Sequence, residues 1–159
     1  TLEEIKNGLE KLEPVSGRFH IIEKNDMTII DDCYNANPAS MKSSLDVLAY
    51  ADTRKVAILG DMGELGADEL AMHREVGAYA AFKNTDVLVC IGALSKDMAE
   101  AAKETVLATE KNMKVFHFDT KEDFYQNMGQ ILNENDTILV KASHFMKFPE
   151  IVKKLSEEA

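Results

Sequence analysis

The stretch Lys55–Ile91 reads KVAILGDMGELGADELAMHREVGAYAAFKNTDVLVCI. Its apolar run Lys55–Leu59 leads into the glycine-rich loop Gly60–Gly66, and apolar residues then recur at helical spacing over about Asp68–Lys83. A second apolar run, Asp86–Ile91, ends the stretch. Two continuously apolar strands joined by one helix are typical of neighbouring parallel strands in a sheet that is buried on both faces. This stretch therefore predicts an α/β fold.

The same alternation continues on both sides of this unit. Toward the carboxyl end it predicts helix Ser95–Ala108 after Gly92, strand Lys114–Phe118, helix Glu122–Leu132, strand Thr137–Val140 and a last helix with Phe148, Ile151, Val152 and Leu155. Toward the amino end it predicts a first helix that ends at Pro14 and has Leu2, Ile5, Leu9 and Leu12 on one face. Two strands follow, Phe19–Glu23 and Met27–Cys33, with a turn at Lys24–Asp26 between them. The next helix begins at Pro38 and has Met41, Leu45 and Leu48 on its apolar face. We therefore predict one domain, residues 1–159, with a Rossmann-like, mostly parallel sheet, helices on both faces and an antiparallel N-terminal edge hairpin.

The composition narrows the classes of function. With 159 residues, 45% of them hydrophobic, the chain can bury one full core. A formal net charge of -10 argues against binding to nucleic acid or to an anionic membrane, because both need clustered Lys and Arg. No apolar run reaches the roughly 18 residues of a membrane span. Cys33 and Cys90 have no spacing typical of a metal site or a disulfide framework, so a reducing cytoplasm is the simplest location.

Three polar segments follow predicted strands, namely Asp32–Asn37, Asp61–Gly66 and Lys141–His144. In an open α/β sheet, ligands bind in the crevice at the carboxyl ends of the strands. We therefore expect these three segments to lie together along one edge of the sheet and to form the ligand site.

The segment Asp31–Met41, DDCYNANPASM, has the highest density of hydrogen-bonding side chains. Asp32, Asn35 and Asn37 can hold a nucleoside, because a carboxylate accepts from a ribose diol and carboxamides both donate and accept. The alternative is that Asp31 or Asn37 caps the helix that follows.

Charged residues near other strand ends give weaker signals. Arg18 can pair with a phosphate or stack on a base, although an isolated arginine near a turn is more often a surface residue. Asp61 and Glu64 would repel a phosphate, so their loop is either a tight strand-to-helix connection or presents one carboxylate to a ligand. Lys141 and Ser143 can offer a charge and a hydroxyl to an anionic substrate.

No complete catalytic set is visible in the sequence. There is no P-loop, no nucleophile–base–orienter motif and no pair of histidines at metal-ligand spacing. We interpret His73, on a helix with Val76, as a half-buried structural residue or a polar group on the helix face and not as a catalyst, and we assign no role to His20 or His117.

Four stretches, in order along nearly the whole chain, resemble the C-terminal domain of the Mur ligases. They are GRF at 17–19, the YNANP segment within 31–41, LGDMGELG at 59–66 with HREVG at 73–77, and VKAS at 140–143. The resemblance is to the branch that adds D-alanyl-D-alanine to UDP-N-acetylmuramoyl-tripeptide. Two positions depart from the family pattern: Ala142-Ser143-His144 stands where Gly-Ser-Arg is common, and His20 stands where an acidic residue is usual.

The resemblance implies a three-domain, ATP-dependent ligase of which this chain is the last domain. In that family the N-terminal domain binds the UDP sugar, and the central domain supplies the P-loop, the Mg²⁺ ligands and a carbamylated lysine. ATP activates the tripeptide carboxylate as an acyl phosphate, which the dipeptide amine attacks when the C-terminal domain closes on the central one. The family motifs put Arg18, Asp32, Asn35 and Asn37 on the ATP side, and Asp61, Glu64, Lys141 and Ser143 toward the dipeptide or acyl phosphate.

Two other functions stay open. A related amide ligase, such as a diaminopimelate- or lysine-adding Mur enzyme or a folylpolyglutamate synthetase, usually has a histidine-containing turn where this chain has Asn35-Ala36-Asn37. A non-catalytic α/β binding module could use the same fold. Because the sequence begins with Thr1 and not Met and a helical pattern starts at once, we interpret it as a piece of a longer protein. The resemblance implies that the P-loop lies in another domain, so we expect this piece to be inactive by itself and the whole enzyme to be a monomer.

Overall fold

The computed structural model describes residues 1–9, 15–24 and 26–157. The helices and strands are α1 (Leu2–Leu9), β1 (His20–Lys24), β2 (Met27–Asp31), α2 (Pro38–Leu48), β3 (Lys55–Gly60), α3 (Glu69–Phe82), β4 (Val87–Ile91), α4 (Ser95–Thr109), β5 (Lys114–Phe118), α5 (Lys121–Ile131), β6 (Thr137–Lys141) and α6 (Pro149–Glu157). Short 3-10 helices, Gly66–Asp68 and His144–Met146, precede α3 and α6. Each element follows the sequence prediction to within a few residues. Phe19 is one of the differences, because its φ of 55° places it before the first strand.

The described strands form one six-stranded sheet in the order β1-β2-β6-β3-β4-β5. β1 and β2 are antiparallel, with Ile22 opposite Ile29, and the other neighbouring pairs are parallel. The predicted mostly parallel sheet with an antiparallel edge hairpin is therefore confirmed. Asn25, in the predicted turn of that hairpin, lies outside the described residues.

Side chains of successive strand residues alternate between two hydrophobic cores, one on each face of the sheet. Ala57, Leu88 and Leu139 pack with buried residues of α2, α3 and α4 on one face. Their chain neighbours Val56 and Ile138 pack with residues of α5 and α6 on the other. Because every strand side chain must be apolar when both faces are covered, the continuous apolar runs of the sequence are explained, and helices on both faces are confirmed.

β6 marks the place where the winding of the chain changes face. The segments that follow β2 and β3 lead to α2 and α3 on one face, whereas the segment that follows β6 leads to α6 on the other. β6 lies between β2 and β3, so the three connections diverge around its carboxyl end. Such a divergence leaves a crevice, which is where ligands of open α/β sheets bind.

The described part of helix α1 forms as predicted, but Leu2 and Ile5 lie in solvent. Leu2 is 87% exposed and Ile5 is 60% exposed. Leu12 and Pro14, which the pattern placed at the end of this helix, lie outside the described residues.

Within residues 1–9, 15–24 and 26–157, no helix has the length and apolar content that crossing a membrane requires.

The packing of α3 on α4 depends on Gly77, and this can be tested. A Cβ at this position would lie 1.9 Å from the carbonyl oxygen of Met98. We expect Gly77→Ala to lower the free energy of unfolding by about 1–3 kcal/mol, because the two helices would have to separate. Gly129→Ala is the control, since a Cβ there meets nothing within 4 Å. In urea unfolding, the control should gain about 0.5–1 kcal/mol. Equal effects of the two changes would contradict the close helix contact.

Candidate functional site

The three polar segments meet at the carboxyl end of β6, as the sequence predicted. The Lys141 ammonium lies 2.6 Å from the Asp32 carboxylate of the first segment. The Ser143 hydroxyl accepts a hydrogen bond from the Gly63 N–H at 2.8 Å and donates one to the Ala36 carbonyl at 3.4 Å. The expectation of a single polar edge is therefore confirmed, and residues of β6 and the loop after it connect the other two segments.

Lys141 is the centre of this network. Its side chain is only 3% exposed, and its ammonium also donates to the Asn35 carbonyl at 3.0 Å and to the Asp32 carbonyl at 3.4 Å. The Asp32 carboxylate in turn accepts from the Ser44 hydroxyl at 2.7 Å and from the Phe19 N–H at 3.2 Å. A buried ammonium with a full set of acceptors is suited to holding two loops in place.

Arg18 lies on the face of the Tyr34 ring, with its guanidinium carbon 3.8 Å from the ring centroid. The preceding turn is fixed by the buried Asp31 carboxylate, which accepts from the Gly17 N–H at 2.8 Å and the Ser16 hydroxyl at 3.3 Å. Tyr34 itself donates its N–H to the Gly17 carbonyl at 2.9 Å. Arg18 is thus an exposed cation held at the mouth of the site by a cation–π contact.

Asn37 caps α2. Its side-chain oxygen accepts from the Ser40 N–H at 2.8 Å, and the Ser40 hydroxyl accepts from the Asn37 N–H at 3.1 Å. Pro38 follows as the first helical residue. Of the two residues that the sequence offered as possible caps, Asn37 performs this role, and Asp31 instead holds the turn before β1.

The two acidic residues of the loop after β3 have different environments. Asp61 is buried, and its Oδ1 accepts from the Ser95 N–H at 2.7 Å and the Ser95 hydroxyl at 2.6 Å, which joins the loop to the start of α4. Gly92 makes room for this carboxylate, because a Cβ there would lie 2.5 Å from it. Glu64, by contrast, is exposed and has a left-handed φ of 61°.

His73 holds the same loop from the side of α3. It is fully buried rather than half-buried, so the sequence prediction was right about a structural role and wrong about the degree of burial. Its Nε2 accepts from the Met62 N–H at 2.9 Å, which leaves Nδ1 to donate to the Glu69 carbonyl at 2.7 Å. The main chain just before Gly63 and Glu64 is therefore fixed by an imidazole.

A cleft of about 430 Å³ opens where these loops meet. It is lined by Tyr34 and Asn35 after β2, Gly63 and Glu64 after β3, and Ser143, His144 and Phe145 after β6. Of these residues, the sequence analysis predicted Asn35, Glu64 and Ser143 as site residues. It did not predict Phe145, which has no polar group, and it assigned no role to His144.

Neither cysteine is a ready nucleophile, and the described residues form no group that could serve as a metal centre. Burial raises the pKa of the Cys33 thiol, and the neighbouring Asp31 raises it further. Burial likewise raises the pKa of Cys90. A protonated thiol is a poor nucleophile. Across 1–9, 15–24 and 26–157, no three His, Cys, Asp or Glu side chains form a group that could hold a metal ion.

The fold and the converging loops define an α/β domain with a cleft at the carboxyl ends of its strands, and comparison with known proteins identifies its family. A family model described as "Mur ligase, glutamate ligase domain" matches residues 17–144. The chain is 33% identical to UDP-N-acetylmuramoyl-tripeptide–D-alanyl-D-alanine ligase of Haemophilus influenzae, a match that covers 99% of this chain and 34% of that protein. The chain belongs to the Mur ligase, glutamate ligase domain family.

Solved structures agree with this assignment. MurF from Acinetobacter baumannii superposes with a TM-score of 0.83 at 29% identity, covering 99% of this chain and 34% of that one. MurF from Thermotoga maritima in complex with ADP gives a TM-score of 0.76 at 24% identity, covering 93% and 32% of the two chains, a likeness that shows the fold. The chain therefore spans about a third of the length of these relatives.

The buried ion pair can be tested by removing its cation. We expect Lys141→Met to lower the free energy of unfolding by about 3 kcal/mol, because it leaves the Asp32 carboxylate largely buried without its cation. Adding Asp32→Asn should recover part of this loss in urea unfolding. Lys153→Met is the control, since Lys153 and Glu157 form an exposed pair and should contribute little. Equal losses in Lys141→Met and the double variant would contradict the pairing.

The role of His73 can be tested with two replacements. His73→Leu leaves the buried Met62 N–H without an acceptor and should cost about 1–3 kcal/mol in the free energy of unfolding. His73→Gln can still accept that hydrogen bond through its side-chain oxygen and should lose clearly less. If the two variants unfold at the same urea concentration, the hydrogen bond to Met62 does not stabilise the loop.

Proposed function

We propose that this chain is the C-terminal domain of an ATP-dependent ligase that adds D-alanyl-D-alanine to UDP-N-acetylmuramoyl-tripeptide in peptidoglycan precursor synthesis. The observation that carries the proposal is the match of 99% of the chain to about a third of a ligase of that name. The site supports it, because three loops build one cleft and yet the described residues contain no complete catalytic set. Such a half-site is what a domain needs if the reaction takes place at its contact with another domain.

The proposed enzyme has two further domains, with the P-loop and the principal Mg²⁺ ligands on the central one. We place the enzyme in the cytoplasm as a monomer, with its own central domain as the physical partner of this one. When bound, ATP supplies the phosphoryl group that activates the tripeptide carboxylate. Closure of this domain over the central one would exclude water from that activated carboxylate.

We assign the nucleotide side of the cleft to Arg18, Asp32, Asn35 and Asn37. The geometry favours Arg18 and Asn35 as direct contacts, since Arg18 is an exposed guanidinium and the Asn35 carboxamide has no partner within the described part of the chain. Asp32 is 17% exposed and can accept from a ribose hydroxyl while it keeps Lys141. Asn37 uses its side-chain oxygen as the cap of α2, which leaves its NH₂ group to donate.

We assign the acceptor side to the loops that contain Asp61, Glu64, Lys141 and Ser143. The contacts of these residues indicate different roles. Asp61 is buried and hydrogen-bonded to the start of α4, and Lys141 and Ser143 are buried and hydrogen-bonded to other loops, so all three hold the walls of the cleft. Glu64 is exposed at the cleft and is the member of the group that is free to touch substrate.

The activity is tested with the full-length protein. It should release phosphate from ATP only when UDP-N-acetylmuramoyl-tripeptide and D-alanyl-D-alanine are both present, and it should form the pentapeptide product. Residues 1–159 alone should show neither reaction, because they lack a phosphate-binding loop. Product formation with L-glutamate or a diamino acid in place of the dipeptide would overturn the proposed acceptor.

Arg18→Ala in the full-length protein tests the nucleotide side. The change removes an exposed side chain and its cation–π contact with Tyr34, so the free energy of unfolding should fall by at most about 1 kcal/mol, while the KM for ATP should rise roughly tenfold through loss of one charge-assisted contact. Lys24 is an exposed cation at the end of β1, so Lys24→Ala is the control and should leave the free energy of unfolding and the KM for ATP unchanged. A normal KM for ATP in Arg18→Ala would exclude Arg18 as a nucleotide contact.

A further inference from the structure

Polar side chains also gather at the opposite edge of the sheet, where the parallel strands begin. Two cavities of about 520 Å³ and 190 Å³ share Asp86 and Asn112 in their walls, so they form one groove, which we call the amino-edge groove. It crosses the amino ends of β3, β4 and β5. Since the five residues of β4 span roughly 17 Å, this groove is remote from the cleft at the carboxyl ends of the strands.

The charged residues that shape the walls of the groove are paired with each other. Arg54 donates to the Ile131 carbonyl at the end of α5 and lies 3.5 Å from the buried Asp136 carboxylate. The Asp86 carboxylate accepts from the Lys55 N–H at 2.7 Å and lies 3.8 Å from the Lys55 ammonium. These contacts join β3 to β4 and to α5, so they fix the walls while their charges largely cancel.

Two exposed charges of opposite sign also line the groove. Lys114 is the first residue of β5, and Asp52 lies in the loop before β3. Neither side chain has a hydrogen-bond or ion-pair partner within residues 1–9, 15–24 and 26–157. Because β3 and β5 lie on either side of β4, their backbones are roughly 10 Å apart. A small molecule with both charges can therefore reach the two side chains at once, whereas an ion with one charge would also meet a group that repels it.

Thr85 is a separate observation that points to a polar ligand. It lines the groove and is only 5% exposed, yet its hydroxyl has no hydrogen-bond partner in the part of the chain that the structure describes. A buried hydroxyl without a partner is costly, and a ligand that pairs with it removes that cost. The exposed carboxamides of Asn112 and Gln130 line the same groove and can both donate and accept.

We propose that the amino-edge groove binds a small zwitterion of the free amino acid class. Lys114 pairs with its carboxylate, and Asp52 pairs with its ammonium. The Thr85 hydroxyl and the Asn112 carboxamide complete the hydrogen bonds of the two charged ends. The larger cavity, about 520 Å³, lies in the range typical of small-molecule sites. This second site does not rest on the proposed function, because none of its residues lines the cleft at the carboxyl ends of the strands.

The class of ligand is tested by isothermal titration calorimetry of the full-length protein with glycine, acetate and methylammonium. Glycine should bind saturably, with a Kd on the order of 1 mM. Acetate and methylammonium each carry one of the two charges of glycine, so each should bind about tenfold more weakly. Acetate or methylammonium binding as tightly as glycine, or no saturable binding of glycine, would overturn the proposal.

Charge variants determine where glycine binds. Lys114→Met and Asp52→Asn should each raise the Kd for glycine about tenfold, since each removes one charge-assisted contact. Lys96→Met and Glu100→Gln, at exposed residues of α4 outside the groove, are the matched controls and should leave that Kd unchanged. If Lys114→Met binds glycine as tightly as the unaltered protein while Glu64→Gln binds it tenfold more weakly, glycine occupies the cleft and the proposal fails.

Thr85→Val separates ligand binding from a role in the fold. The change removes the hydroxyl at nearly constant volume, so the free energy of unfolding without glycine should stay the same or rise. The Kd for glycine should nevertheless rise about fivefold, the value of one neutral hydrogen bond. A lower free energy of unfolding together with an unchanged Kd would mean that the hydroxyl serves the fold alone, and it would overturn the part of Thr85 in the site.

Discussion

The architecture of the site depends on one buried ion pair, between Lys141 at the end of β6 and Asp32 after β2. An ammonium that is 3% exposed is tolerated only when its donors are satisfied, and this one has the Asp32 carboxylate and two loop carbonyls. Asp32 also accepts from Ser44 on α2 and from the main chain of Phe19 before β1. The ion pair thus joins β6, β2, α2 and the edge hairpin at one point.

The loop after β3 is held by an independent set of contacts. Asp61 fixes it to Ser95 at the start of α4, His73 fixes it to α3, and Ser143 fixes it to the loop after β6. Together with the ion pair, these contacts use up most of the buried polar groups at the carboxyl edge of the sheet. They hold in place a rim of exposed groups around the cleft. Because this frame already orders the loops, their exposed residues would lose little conformational entropy on binding a ligand.

The frame also accounts for which predictions from sequence succeeded. Strands and helices were predictable because burial on both faces leaves a local signal, a continuous apolar run for a strand and an apolar face for a helix. The gathering of three polar segments was predictable because parallel strands all end at the same edge. The partner of each side chain was not predictable, since Lys141 and Asp32 lie 109 positions apart in the chain. Residue type alone therefore could not tell a lysine that holds a loop from one that holds a substrate.

By itself, the sequence determined the α/β fold, the polar edge and, through its motifs, the family. The tertiary structure decided which polar groups of that edge are buried. Asp61, Lys141 and Ser143 are buried in contacts between segments, whereas the Glu64 and His144 side chains are exposed and have no partner among the described residues. The physical reason lies in the range of the interactions. Apolar periodicity is a property of neighbouring residues, whereas the burial and pairing of a polar group depend on which distant segment the fold places beside it.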